Sequence, residues 1–235
     1  MTRLAERSIF DVGLDGRWTG SYLATVVAVD DPQHLSRVKI RLFCADGVTD
    51  HDGPIWARVA VPFAGDEHGA FFIPDVGDEV VVNFVNGDPR LPIVLGSLWN
   101  GNAKPAETLG GSGDKVDRWT FVGKRKTRIA IVEEQDGQAK IELSTPGGVS
   151  ATLQETSGGK IEYKAAGTTI TVDTSGVSIT TSSTVTVKAS KVSVTAPQVS
   201  VDAAMSTFSG IVKCDTLQAT TVIGTTYTPG AGNVW

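Results

Sequence analysis

The sequence predicts an all-β chain in two parts: a small closed barrel, then a rod of short strands that three chains build together. Three observations carry this expectation. Residues 21–100 hold about five runs of β-branched and aromatic residues, punctuated by Gly, Pro, Asn and Asp, with no convincing helical period. Near residue 125 the grammar changes to a Thr/Ser/Val tract of short apolar pairs: Ile141 with Leu143, Ile161 with Tyr163, Ile170 with Val172, Val177 with Ile179, Val185 with Val187, Val192 with Val194, and Val199 with Val201. The last five pairs start at spacings of 7, 8, 7 and 7 residues. Repetition at a short fixed spacing marks a β-solenoid or β-prism.

The elements follow in order. Residues 1–20 are polar, with Leu4, Ile9, Phe10 and Val12 scattered among them, and read as an arm ordered against a partner. Tyr22 to Val29 is a strand ending at the Asp30-Asp31-Pro32 turn. Arg37 to Leu42 alternates, with Val38, Ile40 and Leu42 facing inward and cations outward. Ile55 to Val61 is a third strand that Pro62 ends, and Ala70 to Ile73 a short one that Pro74 ends. Glu79 to Val85 closes at Asn86-Gly87-Asp88-Pro89. Leu91 to Leu98 is expected at an edge, because Pro92 has no N–H to donate. Together, residues 21–100 suggest a barrel of the OB-fold type.

Residues 101–118 form a Gly-rich linker, and 119–224 the β-helical rod, opening on a collar strand from Trp119 to Ile131. Each rod strand offers two inward residues, so the expected core is Ile170, Val172, Val177, Ile179, Val185, Val187, Val192, Val194, Val199 and Val201. Two residues per strand cannot enclose a core in one chain. They can fill a thin triangular core if three chains wrap one another, which also pairs every strand edge. The expected architecture is therefore a trimeric, intertwined triple-stranded β-helix, or β-prism. Residues 225–235 break the rhythm and read as a tip segment.

Composition narrows the function. The 235 residues carry a net charge of −5, and residues 1–103 hold 8 Lys/Arg against 14 Asp/Glu. Trp56, Phe71, Phe72 and Phe84 could stack bases in a single-strand-binding OB-fold, but an acidic domain has no electrostatic funnel for phosphates. These aromatics are expected in the barrel core and against a partner, and no nucleic acid is expected to bind. Lys124-Arg125-Lys126-Thr127-Arg128 is a local basic cluster, read as a solvated collar. The chain opens without the apolar stretch of a secretory signal and has no run near the ~18 residues of a membrane-spanning helix, so cytoplasmic synthesis is expected. Cys44 and Cys214 read as isolated thiols, not a disulfide framework. His34, His51 and His68 sit in polar turns without neighbouring ligands at metal spacing. The adjacent acids Asp78-Glu79 and Glu133-Glu134 face opposite ways along a strand, and the glycines at 110–113 lack the Lys and helix of a phosphate loop. No catalytic residue, metal or cofactor is expected.

Four segments of the first part, in order, carry a resemblance. Residues 30–41 (DDPQHLSRVKIR), 55–60 (IWARVA), 72–80 (FIPDVGDEV) and 86–101 (NGDPRLPIVLGSLWNG) resemble the signatures of the central spike family of contractile injection systems, which includes phage baseplate assembly protein V and the VgrG proteins of type VI secretion. The resemblance implies an OB-fold followed by a trimeric spike in a phage tail, tailocin or extracellular injection particle, where the spike pierces the target envelope. It implies a baseplate hub at the OB end. Only about 20 residues precede the barrel, so the hub is expected to be another chain. A lysozyme domain found in some phage members has no room in residues 101–117, and the tail lacks the His-x-His iron motif of some phage spikes. In this family a PAAR-like protein often caps the blunt end, so the tip segment is expected either to fold back along the rod or to dock such a protein, with Tyr227, Pro229 and Trp235 as anchors. A trimeric receptor-binding fibre or adhesin shares the rod grammar and is the alternative, although it would normally end in a globular head.

Overall fold

A computed structural model describes residues 17–45 and 53–226. The barrel is built of β1 (Tyr22–Ala28), β2 (Val38–Leu42), β3 (Ile55–Val59), β6 (Glu79–Phe84) and β7 (Pro92–Leu98), with a two-residue hairpin, β4 (Ala64–Gly65) and β5 (His68–Gly69), inserted before β6. The closed order is β1-β2-β3-β7-β6. All neighbours are antiparallel except β3 and β7, which run parallel. This is the topology of an OB-fold. Alternation along each strand sends Ala24, Val26, Val38, Ile40, Leu42, Ala57, Val80, Val82, Phe84 and Val94 into one buried core.

One end of the barrel is closed by an aromatic trio. Trp18 packs on Tyr22 and Phe84 with ring centroids 5.1 and 5.0 Å away, and Tyr22 meets Phe84 edge-on at 5.4 Å. The Trp18 amide donates to the Gly87 carbonyl at 2.8 Å. Gly87 has φ of 75°, and a Cβ there would lie 2.9 Å from Arg17 Cβ, so the position takes glycine on both counts.

Three expectations for the barrel need correction. Strand β7 is not an edge: it pairs with β6 on one side and β3 on the other. Pro92 is its first residue, where a missing N–H is tolerated. No strand forms over 70–73, since Ala70 turns back through the β4–β5 hairpin, donating to the Phe63 carbonyl. Phe71 and Phe72 lie outside the core, 77% and 57% exposed, because they fall in this loop and not on an inward-alternating strand.

A second sheet follows: β8 (Arg118–Val122), β9 (Arg128–Val132), β10 (Lys140–Ser144), β11 (Ser150–Gln154), β12 (Lys160–Ala165), β13 (Thr168–Asp173) and β14 (Gly176–Thr180). Each strand pairs antiparallel with the next, in chain order, as a meander. The segment expected as a collar strand is thus a hairpin, turning at Gly123–Thr127, where the Gly123 amide donates to the Thr127 carbonyl. The β12–β13 turn is two residues, Ala166 and Gly167, at φ of 46° and 79°; two consecutive left-handed residues match the twist of a hairpin. Within 118–180 the strands pair inside one chain, not across chains as the short-strand argument expects, because short connections between consecutive strands let each strand fold onto the one before.

From Val185 onward the chain falls into a separate unit. Its described part, 185–226, contains no strand pairing. Its chain bends at Ser190, Pro197 and Ala204, seven residues apart, and then at closer spacings from Ser209 onward. One Val-x-Val pair occupies each straight stretch, Val192 with Val194 and Val199 with Val201.

Candidate functional site: uncovered faces and fastened loops

The register of the second sheet sorts its side chains by chemistry. Trp119, Ile131, Ile141, Leu153, Ile161, Val172 and Val177 form one continuous cross-strand row. Two residues along each strand, Phe121, Ile129, Leu143, Ala151, Tyr163, Ile170 and Ile179 form a second row on the same face. Every position of both rows is apolar or aromatic. The opposite face presents Thr120, Glu142, Thr152, Glu162, Thr171 and Ser178 between flanking rows in which Arg118, Arg128, Lys140, Lys160 and Lys164 alternate with Val, Gln, Ser and Thr.

Burial in a single chain is inverted relative to this chemistry. Twelve of the fourteen residues in the apolar rows are exposed, up to 71% at Val177, and Ala151 and Ile161 are half-buried, while the charged face is half-buried and contains the buried Ala130 and Val132. A sheet that folds alone hides its apolar face. Contiguous exposed apolar surface on this scale marks an interaction site.

The loop 101–117 holds the charged face. Glu107 lies beneath β8 and β9, accepting from Arg118 Nη1 at 3.1 Å, from Arg128 Nη2 at 3.1 Å and from Thr120 Oγ1 at 3.3 Å. Arg128 also pairs with Glu142, and Arg118 with Glu134. The Arg128 hydrogen bond holds the Glu107 carboxyl down at about 2 against the opposing effect of burial. This stretch, read from sequence as a linker, is fastened at its centre. Its signal was a lone Glu between glycines, and the two Arg that meet it lie on neighbouring strands that the hairpin turns to one face.

On the barrel, the β1–β2 loop is organised by Asp31. Its carboxylate accepts the amides of Gln33, Leu35 and Arg37 at 3.0, 3.0 and 3.3 Å, and the Arg37 guanidinium at 3.0 and 2.7 Å. The guanidinium holds the Asp31 carboxyl well below the usual carboxylate range. These bonds stabilise the left-handed backbone of His34 and Ser36. Arg37 and Lys39 sit 5.6 and 5.8 Å from the Trp56 ring centroid, so that ring is engaged by cations on the barrel wall. The Asp75–Asp78 turn docks on the second sheet: Phe72 stacks on Phe121 with centroids 5.6 Å apart and planes 8° from parallel, and Asp75 pairs with Lys124.

The remaining expected site residues divide by region. Ile170, Val172, Val177 and Ile179 fall on the apolar face of β13 and β14. Val185, Val187, Val192, Val194, Val199 and Val201 lie exposed in the second unit. Tyr227, Pro229, Trp235 and His51 lie outside the described residues. His34 and His68 sit in separate turns, and among the described residues no group of His, Cys, Asp and Glu is placed to hold a metal ion. Among the same residues no helix is long and apolar enough to cross a membrane.

Comparison with known proteins places the barrel. Residues 22–99 match the family described as the type VI secretion system/phage-baseplate injector OB domain, the span of β1 to β7. The chain is 35% identical over 86 residues to the type VI secretion system spike protein VgrG3 of Vibrio cholerae, covering 34% of this chain and 8% of that protein. It is 35% identical over 96 residues to the actin cross-linking toxin VgrG1 of Vibrio cholerae, covering 38% and 9%. It is 42% identical over 65 residues to the spike protein VgrG5 of Pseudomonas aeruginosa, covering 27% and 8%. The aligned segment thus spans less than a tenth of each of these relatives. Over residues 22–99, therefore, the barrel is similar to the injector OB domain of type VI secretion systems and phage baseplates, and to the corresponding segment of VgrG spike proteins.

Proposed function

We propose that this chain is the structural central spike of a contractile injection machine. Its barrel joins the spike to a baseplate hub, and the residues beyond it form a homotrimeric prism that carries sheath force to a narrow tip, against the target envelope. The observation that carries the reading is the two-row apolar face of β8–β14, attached directly to an injector-type barrel. Each row suits a different neighbour: the first row of one copy packs on the second row of the next, and three such contacts close a triangular core. The charged face then points to solvent, where its Lys140–Glu142 and Lys160–Glu162 pairs keep it soluble. The task is mechanical, with no reaction and no cofactor, and a PAAR-like protein at residues 225–235 completes the tip. Light scattering on the purified chain tests the assembly. Three times the 24.7 kDa chain mass is expected; a folded monomer at micromolar concentration overturns the reading.

A further inference from the structure

We infer that the chain assembles in two stages, in which the 118–180 sheet folds within each chain and then sets the register in which residues 185–226 pair between chains. The inference rests on the homotrimeric reading above and adds its order of events.

Two independent observations separate the stages. The first is pairing. From β8 to β14 every strand finds its partner one short turn away in the same chain, and Cα partners advance without a slip across all six pairs. Such local hairpins close in microseconds and need no second molecule. Their register is set by turn chemistry, including the left-handed Ala166 and Gly167. The second is backbone conformation. Among the described residues after Gly176, none has φ in the left-handed region, and strand pairing stops with β14. The left-handed residues that favour tight hairpins are thus missing from this stretch, and it forms no hairpin on itself. Between the bends at Ser190, Pro197 and Ala204 its straight stretches form no strand pairing within the chain, which leaves their backbone groups for other chains.

The repeat itself makes prior registration necessary. Val185-x-Val187, Val192-x-Val194 and Val199-x-Val201 are near copies, so three free tails would pair almost as well one repeat out of step. The sheet removes that degeneracy, because its apolar rows are not repetitive. They carry Trp119 and Phe121 at one end, Tyr163 near the middle and small Val and Ile at the other. Three such faces match in one alignment only, and the tails then start level.

Refolding of the full chain by dilution from denaturant, followed by pulsed amide exchange and light scattering, tests the order. Amides of 118–180 should gain protection at a rate independent of chain concentration. Amides of 185–226 should gain it later, with the trimer mass, and about tenfold or more slowly on tenfold dilution. Concentration-independent or earlier protection of 185–226 overturns the order, as does concentration-dependent protection of 118–180. A chain that never reaches trimer mass overturns the homotrimeric reading, and the second stage with it. Two full-length variants separate the roles, with protection of the barrel amides showing that each has folded. Val194→Asp should keep the trimer and the protected sheet but lose protection in 185–226. Ile141→Asp should lose both the trimer and tail protection, although its tail is unchanged. Protected tails in Ile141→Asp would sink the proposal.

Discussion

At the residue scale, single side chains fix where loops run. Phe84 closes the aromatic trio and lines the core of the barrel, so Phe84→Ala removes a large buried ring and leaves Trp18 without its floor. A loss of about 3–5 kcal/mol in barrel stability is expected from denaturant unfolding followed by Trp fluorescence. Glu107 gives a pH-dependent contact. Its carboxyl is held below its ordinary value by Arg128, so its contribution is complete above the ordinary carboxylate range and falls away as pH drops toward about 2. Amide exchange in 108–117, corrected for intrinsic rate, should therefore accelerate across that acid window, while Glu107→Gln should exchange fast at every pH. An unchanged profile in the variant would show that the ion pairs do not hold the loop. Asp31 was legible from sequence only as part of a turn. That it gathers three amides and a guanidinium became visible once the backbone folded around it.

At the element scale, the second sheet separates two faces by a single residue step. Thr152 and Leu153 are neighbours on β11, the first on the charged face and the second in an apolar row. In the proposed prism, Leu153→Asp places three carboxylates in a dry core, where each is poorly solvated and repels the others. Thr152→Asp places them in water. Size-exclusion chromatography with light scattering should show loss of trimer for the first and retention for the second. Equal behaviour would mean that the apolar face is not the interface. The alternation of Ile141, Leu143, Ile161, Tyr163, Ile170 and Val172 was plain in the sequence, because a period of two needs only the pleat. The pairing partner was not, because a strand with two inward residues looks the same whether its neighbour belongs to its own chain or to another.

At the scale of the whole molecule, an interlocked trimer should be limited by kinetics. Separating three chains whose 185–226 segments wind together requires all pairings to open before any chain leaves. Thermal unfolding is therefore expected to shift with scan rate and to show hysteresis on cooling. Coincident heating and cooling curves, independent of scan rate, would argue against intertwining. By itself, the sequence determined the all-β class, the inward residues of β2 and the injector resemblance, because alternation, turn residues and short motifs are local. Only the tertiary structure decided that β7 closes the barrel against β3, that Phe71 and Phe72 stay outside the core, that Glu107 fastens the loop to two Arg, and that seven strands pair within one chain. Each of these joins residues distant in sequence or chooses between partners of equal local appearance, and that choice rests on loop closure and on which surfaces are buried together.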